Sequence, residues 1–378
     1  MQTETLYELR FRDTSGQEVG GRIGYGPGGD ASVLRFLGYT KRLHYPGLLW
    51  FGLDGEHPVL GLLEDLYQIE VWRSVTGGVT WYCDFVGIYR TDTEYEDRGR
   101  LNFQGNAIGP LGIIDTVIAW SAGYTDRSEF SASAAETVLK TLVTYNATAA
   151  ATAAAGRDLT FASDPFTITV EADGSGGNAI TKSCSRKQLL ETLRDVARIG
   201  GGDFDLVRDI SNPLAWEFRW FAGQRGTDRS ASVIFSRENG NLTDFRYSHR
   251  SAQATVAIVG GPGEREERQI TVVTSSDYAV SNHREIFINA TDQDTVAGRT
   301  AKGNEALDAA RAIEVAAFNS RQVDGARYGA DYCVEGLLGD LVTVVRSHDG
   351  VGVRHKITGA TVAIDARGEA ITLETETP

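Results

Sequence analysis

The 378-residue chain is poor in several residue types that define function classes. It has 3 Cys, 8 Pro, 1 Met and 6 His, and its 37 Lys and Arg are outnumbered by 51 Asp and Glu, a net charge of −14. Cys83, Cys184 and Cys333 are far apart and form no C-x-x-C pair, which argues against a disulfide framework or a zinc ribbon. The acidic balance argues against wrapping duplex DNA, because phosphate neutralisation needs a basic stripe. No apolar run approaches the length of a membrane span, and the opening MQTETLYELRFRD lacks the basic and apolar regions of a secretion signal. These absences predict a soluble protein assembled in a reducing cytoplasm.

What is abundant is glycine, with 43 residues, set among Thr, Val, Ile and aromatics, and the length allows two or three domains. Leu6 to Phe11 alternates as a strand, GRIGYGPGG reads as a loop, and ASVLRFL, KRL and LLWFGL are short apolar runs. LYQIEVWR and TWYCDFVGIYR are aromatic and β-branched strands joined by a turn at Gly77 and Gly78, with LGLLED a helical turn or loop before them. IGPLGIIDTVIAW has the apolar content of a short helix. Ser133 with Glu136 three residues on has the form of a capping box, opening a helix with Val138, Leu142 and Tyr145 on one face. ATAAATAAAG has no large side chains and cannot build a core. Ser185 is expected to cap a second helix, with Leu189, Leu193 and Val196 as its stripe and Gly200 to Gly202 as its stop. Strands follow from Phe204, with an Asn239-Gly240 turn. ITVVTSSDYAV and REIFINA suggest one hairpin, Val296 to Asn319 a long helix, and the remainder a strand meander. The order β, α/β, β, helical insert, β hints at two related β modules, each followed by a helical excursion.

Catalytic constellations are sought and not found. His44, His57, His249, His283, His348 and His355 show no metal-ligand spacing; His348 and His355 flank a turn and are placed to meet across strands, but two ligands do not make a metal site. Asp203 with Asp205 and Asp292 with Asp294 each project to one face if extended, yet lack a third acidic ligand. Glu64 and Asp65 form an acidic patch, not the placed carboxylate pair of a glycosidase. GYGPGGD (24–30) and GGPGERE (260–266) lack the Lys-Ser/Thr of a phosphate loop. There is no G-x-S-x-G elbow. The N-x-[ST] triplets at Asn146, Asn241 and Asn289 carry no meaning without secretion. No catalytic, cofactor-binding or metal residue is assigned, and no cofactor is expected. Trp72, Trp81, Trp216 and Trp220 are the residues a carbohydrate-binding module would use for stacking, although core packing is the commoner fate of such aromatics.

Three segments carry a family resemblance. Arg42-Leu43, Pro46-Gly47, LLWFGLDGEHPVLGLLEDLYQIEVWR and WYCDFVGIYR, with their G-x-H-P and D-F-x-G-x-x-R patterns, resemble the opening domain of phage tail hub proteins. Residues 133–146 and SRKQLLETLRDVARIGGGDFDLV resemble that family's second domain. ENGNLTDFRYSHRSAQATVAIVGGPG, the 296–319 segment and YGADYCVEGLLGDLVTVV with ITGATVAI resemble its returning barrel and insertion. The resemblance implies a β-rich α+β fold with two tail-tube-like β-barrel domains and two smaller α/β peripheral domains. The expected division is 1–105 for the first barrel, 106–205 for a peripheral domain, 206–262 and 325–378 for the second barrel, and 263–324 for an insertion. It also implies a non-enzymatic virion protein: a homotrimer at the tail tip whose pseudo-sixfold ring adapts the tube to threefold components and closes the channel until DNA ejection. Its implied partners are the tail tube or distal tail ring protein, the C-terminus of the tape-measure protein and tip spike or fibre proteins. DNA would pass through without stable specific binding. Three chains at −14 each carry −42; if part of that faces the channel it would repel DNA and let it slide, the alternative being that the charge serves solubility alone. The chain ends at Pro378 soon after the second barrel, so wall degradation and host binding are expected of other chains.

Overall fold

The computed structural model describes residues 5–25, 33–119, 127–157, 159–209, 211–365 and 368–378. The first segment of chain is a set of seven strands, β1 (Leu6–Arg12), β2 (Glu18–Tyr25), β3 (Leu34–Arg42), β4 (Tyr45–Asp54), β5 (Gln68–Ser74), β6 (Tyr82–Asp97) and β7 (Arg100–Ile108). Strand β2 runs through part of the Gly-rich GRIGYGPGG segment expected to be a loop, and residues 26–30 of the GYGPGGD motif lie outside the described residues. The runs around Leu37 and Leu49 merge into two long strands, because β3 and β4 pair with each other on one side and find further partners on the other.

An α/β unit follows: β8 (Ser128–Ala134), α1 (Ala135–Ala147), β9 (Thr167–Val170), β10 (Ala179–Cys184), α2 (Leu189–Gly200), β11 (Gly202–Arg208) and β12 (Ala215–Ala222). Both capping expectations fail for one reason. Ser133 lies in β8, and the first N–H groups of α1, on Ala135 and Glu136, donate to the carbonyls of Asn178 and Gly176, leaving a side-chain cap nothing to do. Likewise Ser185 precedes α2 by several residues, and the Leu189 N–H is taken by the Thr116 carbonyl. The stop is as expected: Gly201 caps α2 in the left-handed region at φ 68°. The apolar segment after Ile108 is a single 3-10 turn at Pro110–Ile113 rather than a helix, and the Ala-rich stretch holds only a 3-10 turn at Ala153–Ala155. Val138, Leu142, Leu189, Leu193 and Val196 are fully buried, and the unit's core closes with Phe204, Trp216, Phe218 and Trp220.

The last third contains β13 (Ile234–Phe235), β14 (Leu242–Arg250), β15 (Val256–Gly260), β16 (Ile270–Thr274), β17 (Glu285–Asn289), α3 (Val296–Ala309), β18 (Ile313–Ser320), β19 (Leu341–Val345), β20 (Gly352–Asp365) and β21 (Gly368–Glu376). The long helix expected over 296–319 stops at Ala309. Beyond it the burial period changes to two, with Ala316, Phe318 and Ser320 inward, and β18 gains ladders to both β14 and β21. Nor do β16 and β17 form one hairpin; they flank β15, antiparallel and parallel respectively, under α3.

Most strands belong to one sheet of thirteen, with the path β14-β18-β21-β20-β3-β4-β7-β6-β5-β1-β2 and with β13 and β19 joined to it through β20. The β3–β20 ladder, from Leu37 opposite Ile364 to Arg42 opposite Gly359, joins strands from the two ends of the sequence. A single buried cluster then runs across both halves, from Leu9, Phe11 and Phe51 to Phe235, Phe318 and Leu373. The division expected at 205/206 falls inside β11, that at 105/106 falls inside β7, and β15 shares a sheet with the insertion rather than with the main sheet.

Close packing makes one glycine diagnostic. A Cβ on Gly38 would sit 2.3 Å from the Trp50 indole across the β3–β4 ladder. Gly38→Ala is expected to lower unfolding free energy by about 1–3 kcal/mol in a denaturant titration, whereas Gly61→Ala, which meets open space, should leave it within about 0.5 kcal/mol.

Candidate functional site

The chemistry-bearing side chains gather where the sheet meets the α/β unit. On the sheet side, Asp84 of β6 is buried and accepts from Lys41 Nζ at 2.8 Å, from the Tyr39 hydroxyl and from the Tyr328 hydroxyl at 3.2 Å. Burial alone would push this carboxyl up; the Lys41 ammonium and Arg73 guanidinium overcome that and hold it below its ordinary range. Lys41 also donates to the Gly336 carbonyl, tying β3 to the chain before β19. Arg73 of β5 is fully buried, and it donates to the Tyr7 hydroxyl at 2.8 Å, the Tyr82 hydroxyl at 2.9 Å, the Tyr328 carbonyl at 2.6 Å and Glu369 at 2.8 Å. Asp340 is similarly enclosed, accepting from the Thr227 and Cys333 N–H groups at 2.6 and 2.8 Å and from Arg229 at 2.9 Å.

Two further carboxylates hold the seam itself. Glu70 of β5 is buried and binds Arg12 of β1, Arg208 of β11 at 2.5 Å and the Trp72 indole N–H at 2.6 Å. Burial opposes its charge, but Arg208 and these donors keep it below the usual glutamate range. Asp203 of β11 is 1% exposed and accepts from Lys356 Nζ at 2.7 Å and from the Arg225 N–H at 2.8 Å. His44 Nε2 lies 3.0 Å from it, off the line of a directed hydrogen bond, and the His44 ring stacks on Phe204 at 4.5 Å. Against the cost of burial, His44 and Lys356 lower the Asp203 carboxyl to about 2.

These interactions account for most of the residues singled out from sequence. Asp203 and Asp205 meet cations, Asp205 pairing with Arg225. His57 accepts from the Val59 N–H, His283 pairs with Glu285, and His249 is exposed. His348 and His355 do not meet: His348 is exposed beside Tyr247, and His355 is buried opposite Val342 with Thr375 on its Nδ1. Asp292 and Asp294 are exposed, as are Glu64 and Asp65, the latter 3.5 Å from Arg90. Among the described residues no three His, Cys, Asp or Glu side chains are grouped to hold a metal ion. Asn146 and Asn241 are buried and spend their amides on main-chain groups, while Asn289 is exposed beside Arg268. Residues 260–266 form a turn and the start of a short 3-10 segment.

Between the sheet and the α/β unit lies a cavity of about 810 Å³. Trp72, Trp81 and Trp216 line it together, Trp216 also belonging to the core of the α/β unit; Trp220 packs in that core alone, beside Gly200 and Gly202. Cys83 also lines it, its thiol pushed up to about 12 by burial. The cysteines are free. Sequence reasoning gave no role to Arg73, Glu70 or Lys41, and met Asp84 only as the acid of the D-F-x-G-x-x-R pattern. The usable signal is that Glu70 and Arg73 interrupt the otherwise apolar strand QIEVWRS, where charge is unexpected.

This architecture is that of phage tail proteins. The 43 kDa tail protein of prophage MuSo2 from Shewanella oneidensis superposes with a TM-score of 0.57 at 12% identity, over 97% of this chain and 98% of that one. The tail protein from Neisseria meningitidis gives 0.56 at 11%, over 98% and 96%. A chain of the Francisella PdpA-VgrG complex gives 0.56 at 8%, with 99% of this chain covering 58% of that one. No curated protein matches the sequence. The Siphovirus ReqiPepy6 Gp37-like family model matches residues 64–375, and the chain belongs to that family.

The buried pairs predict how the fold responds to substitution and acid. Asp84→Asn should cost about 3–5 kcal/mol in a denaturant titration, because Lys41 loses its buried counter-charge. Gly336→Ala, whose Cβ would lie 2.0 Å from Asp84 Oδ1 at φ 77°, should be similarly disruptive. Asp203, with its carboxyl depressed on folding, stabilises the folded form above the unfolded value of about 4, and the contribution of about 2 kcal/mol is lost as pH falls through about 2. Asp203→Asn should therefore be less stable at neutral pH and lose less on acidification between those limits, as read by chemical unfolding at each pH.

Proposed function

We propose that the chain is a structural hub at the distal end of a phage tail. Three copies form a ring that meets the sixfold tube or distal tail ring protein on one side and threefold spike or fibre components on the other. The observation that carries this reading is a tail-protein fold in which strands from both ends of one polypeptide share a sheet and a core. In this reading residues 6–108 form one tube-like module and residues 234–250 with 313–376 the other, the insertion standing apart, so three chains supply six. Rigidity is what such a ring requires, and the pairs on Arg73, Asp84, Glu70 and Asp203 support it by joining strands far apart in sequence.

The hub would close the channel until ejection and hold the end of the tape-measure protein. It would act without catalysis. The β6–β7 hairpin supports a contact role: Thr91 to Leu101 are all exposed, and Tyr95 and Leu101, at 44% and 40%, offer apolar area near its tip. A carbohydrate-binding role is the second reading, supported by Trp72, Trp81 and Trp216 on one cavity and weakened by the burial of Trp216 and by the Arg10 guanidinium over the Trp72 ring at 3.9 Å.

Sedimentation of the purified chain, alone and with tube protein, should give a trimer; a monomer under both conditions would exclude the hub. Replacing 94–99 with a tight turn should leave the melting temperature within about 2 °C and abolish trimerisation or tube binding in the same assay, since exposed residues contribute little to the fold.

A further inference from the structure

We propose that the uncovered face of the insertion's sheet docks a cationic amphipathic helix of another chain. β15 reads VAIVG, β16 ITVVT and β17 EIFIN, apolar in both alternating sets, which is the pattern of a sheet buried on two sides. Among the described residues, α3 covers only one of those sides, where Ala257, Val259, Val273, Ile286 and Ile288 cluster with Leu307. The ladders place Val272, Ile258 and Phe287 in one row on the opposite face, with Ile270 beside Gly260 in the next row. Ile270, Val272 and Phe287 are 50%, 61% and 55% exposed. Large apolar side chains adjacent on one small sheet make a contiguous patch, not scattered surface residues. Asp308 of α3 pairs with Arg198 of α2, so α3 lies towards the α/β unit and the patch is turned away from it.

The size of the patch fits a helix. Three strands set about 4.8 Å apart present a face about 10 Å wide, and five residues extend it to about 17 Å. That matches the diameter of one helix and about three of its turns. On the other side of the same strands α3 is already seated in this way. The rim decides the charge of the occupant. Gly260 is opposite both Ile270 and Asn289, so the turn after β15 and the chain after β17 leave the sheet at the same end. They carry Glu264, Glu266, Glu267, Asp292 and Asp294, all exposed and none in an ion pair among the described residues. The nearby Arg268 and Arg299 spend their donors on neutral acceptors: Asn289 and the Gly260 carbonyl for the first, Thr271, Gln269 and main-chain carbonyls for the second. Arg265 is the remaining exposed cation at that end among the described residues. Lys or Arg beside the apolar stripe of an incoming helix would meet this excess of carboxylates and be steered by it. A second copy of this chain docked by the same face would instead bring a second set of carboxylates to the contact.

The inference is independent of the trimeric reading. The test uses the whole protein and a set of labelled helix-forming peptides of 14 residues, the length of α3. They carry Leu, Ile or Phe at i, i+3, i+4 and i+7, with Lys flanking that stripe. Two control sets accompany them, one with Glu for Lys and one of the same composition with the apolar stripe scattered. Fluorescence anisotropy should show saturable binding by members of the first set, weakened by salt, with both controls at least about tenfold weaker. Val272→Ser with Phe287→Ser should abolish binding and leave the melting temperature within about 2 °C, because both side chains are exposed. Glu266→Lys with Glu267→Lys should weaken the Lys peptides about tenfold and strengthen the Glu peptides. The proposal is overturned by no binding from the Lys set, by equal binding of either control set, or by binding indifferent to the Val272 and Phe287 substitutions. Self-association of the chain that is lost on Phe287→Ser would overturn it too, by giving the face to a second copy.

Discussion

The β3–β20 ladder is the contact on which the rest of the molecule depends. Through it, residues near position 40 and residues near position 360 become neighbours, and the strands on either side merge into one sheet over one hydrophobic cluster. A ladder so distant in sequence carries a large closure cost and is secured by what surrounds it. Arg73 reaches from β5 to Glu369 at the start of β21, and Lys41 on β3 reaches Asp84 on β6 and the chain at Gly336. Each cross-link uses a charge that would be costly if unpaired, so the two halves are held in one relative placement rather than merely adhering.

The same logic extends to the α/β unit. Its core is continuous with the sheet through Val86 and Ile88 of β6, and Glu70–Arg208, Lys356–Asp203, the His44–Phe204 stack and Arg194 over Tyr45 at 4.4 Å fasten it further. Beside that apolar contact the polar and aromatic pairs specify orientation, and they border a recess that the apolar packing does not fill. The cavity and the ionic seam are therefore two aspects of one interface.

Much of the architecture is legible in sequence where a local pattern decides it. The strand pair either side of Gly77, the buried stripe Leu189, Leu193 and Val196, and the glycine stop at 201 all follow from periodicity and turn chemistry. The failures occur where a distant segment supplies what local chemistry would otherwise provide. Ser133 and Ser185 have the right side chains for caps, but carbonyls from Gly176, Asn178 and Thr116 reach the helix ends first. Alanines at 316 and 317 fit a helix as readily as a strand, and only the ladders to β14 and β21 choose. The seam was illegible because its charges are spread from Arg12 to Lys356 and are neighbours only after folding. His348 and His355, close in sequence, are separated because one sits at the turn and the other faces inward.

The insertion has its own consequence. Strands β14 and β18 are paired, with Arg250 opposite Ile313, so the chain leaves the main sheet and returns to it at adjacent points. Everything between them, including β15 to β17 and α3, joins the main sheet through a two-strand stem, has its own small core around Ala257, Val259 and Leu307, and touches the α/β unit through the Arg198–Asp308 pair. Such a unit can be exchanged or enlarged between relatives without altering the sheet's register, because the stem needs only two neighbouring ends to be bridged. The periphery is thereby free to diversify while the frame stays fixed.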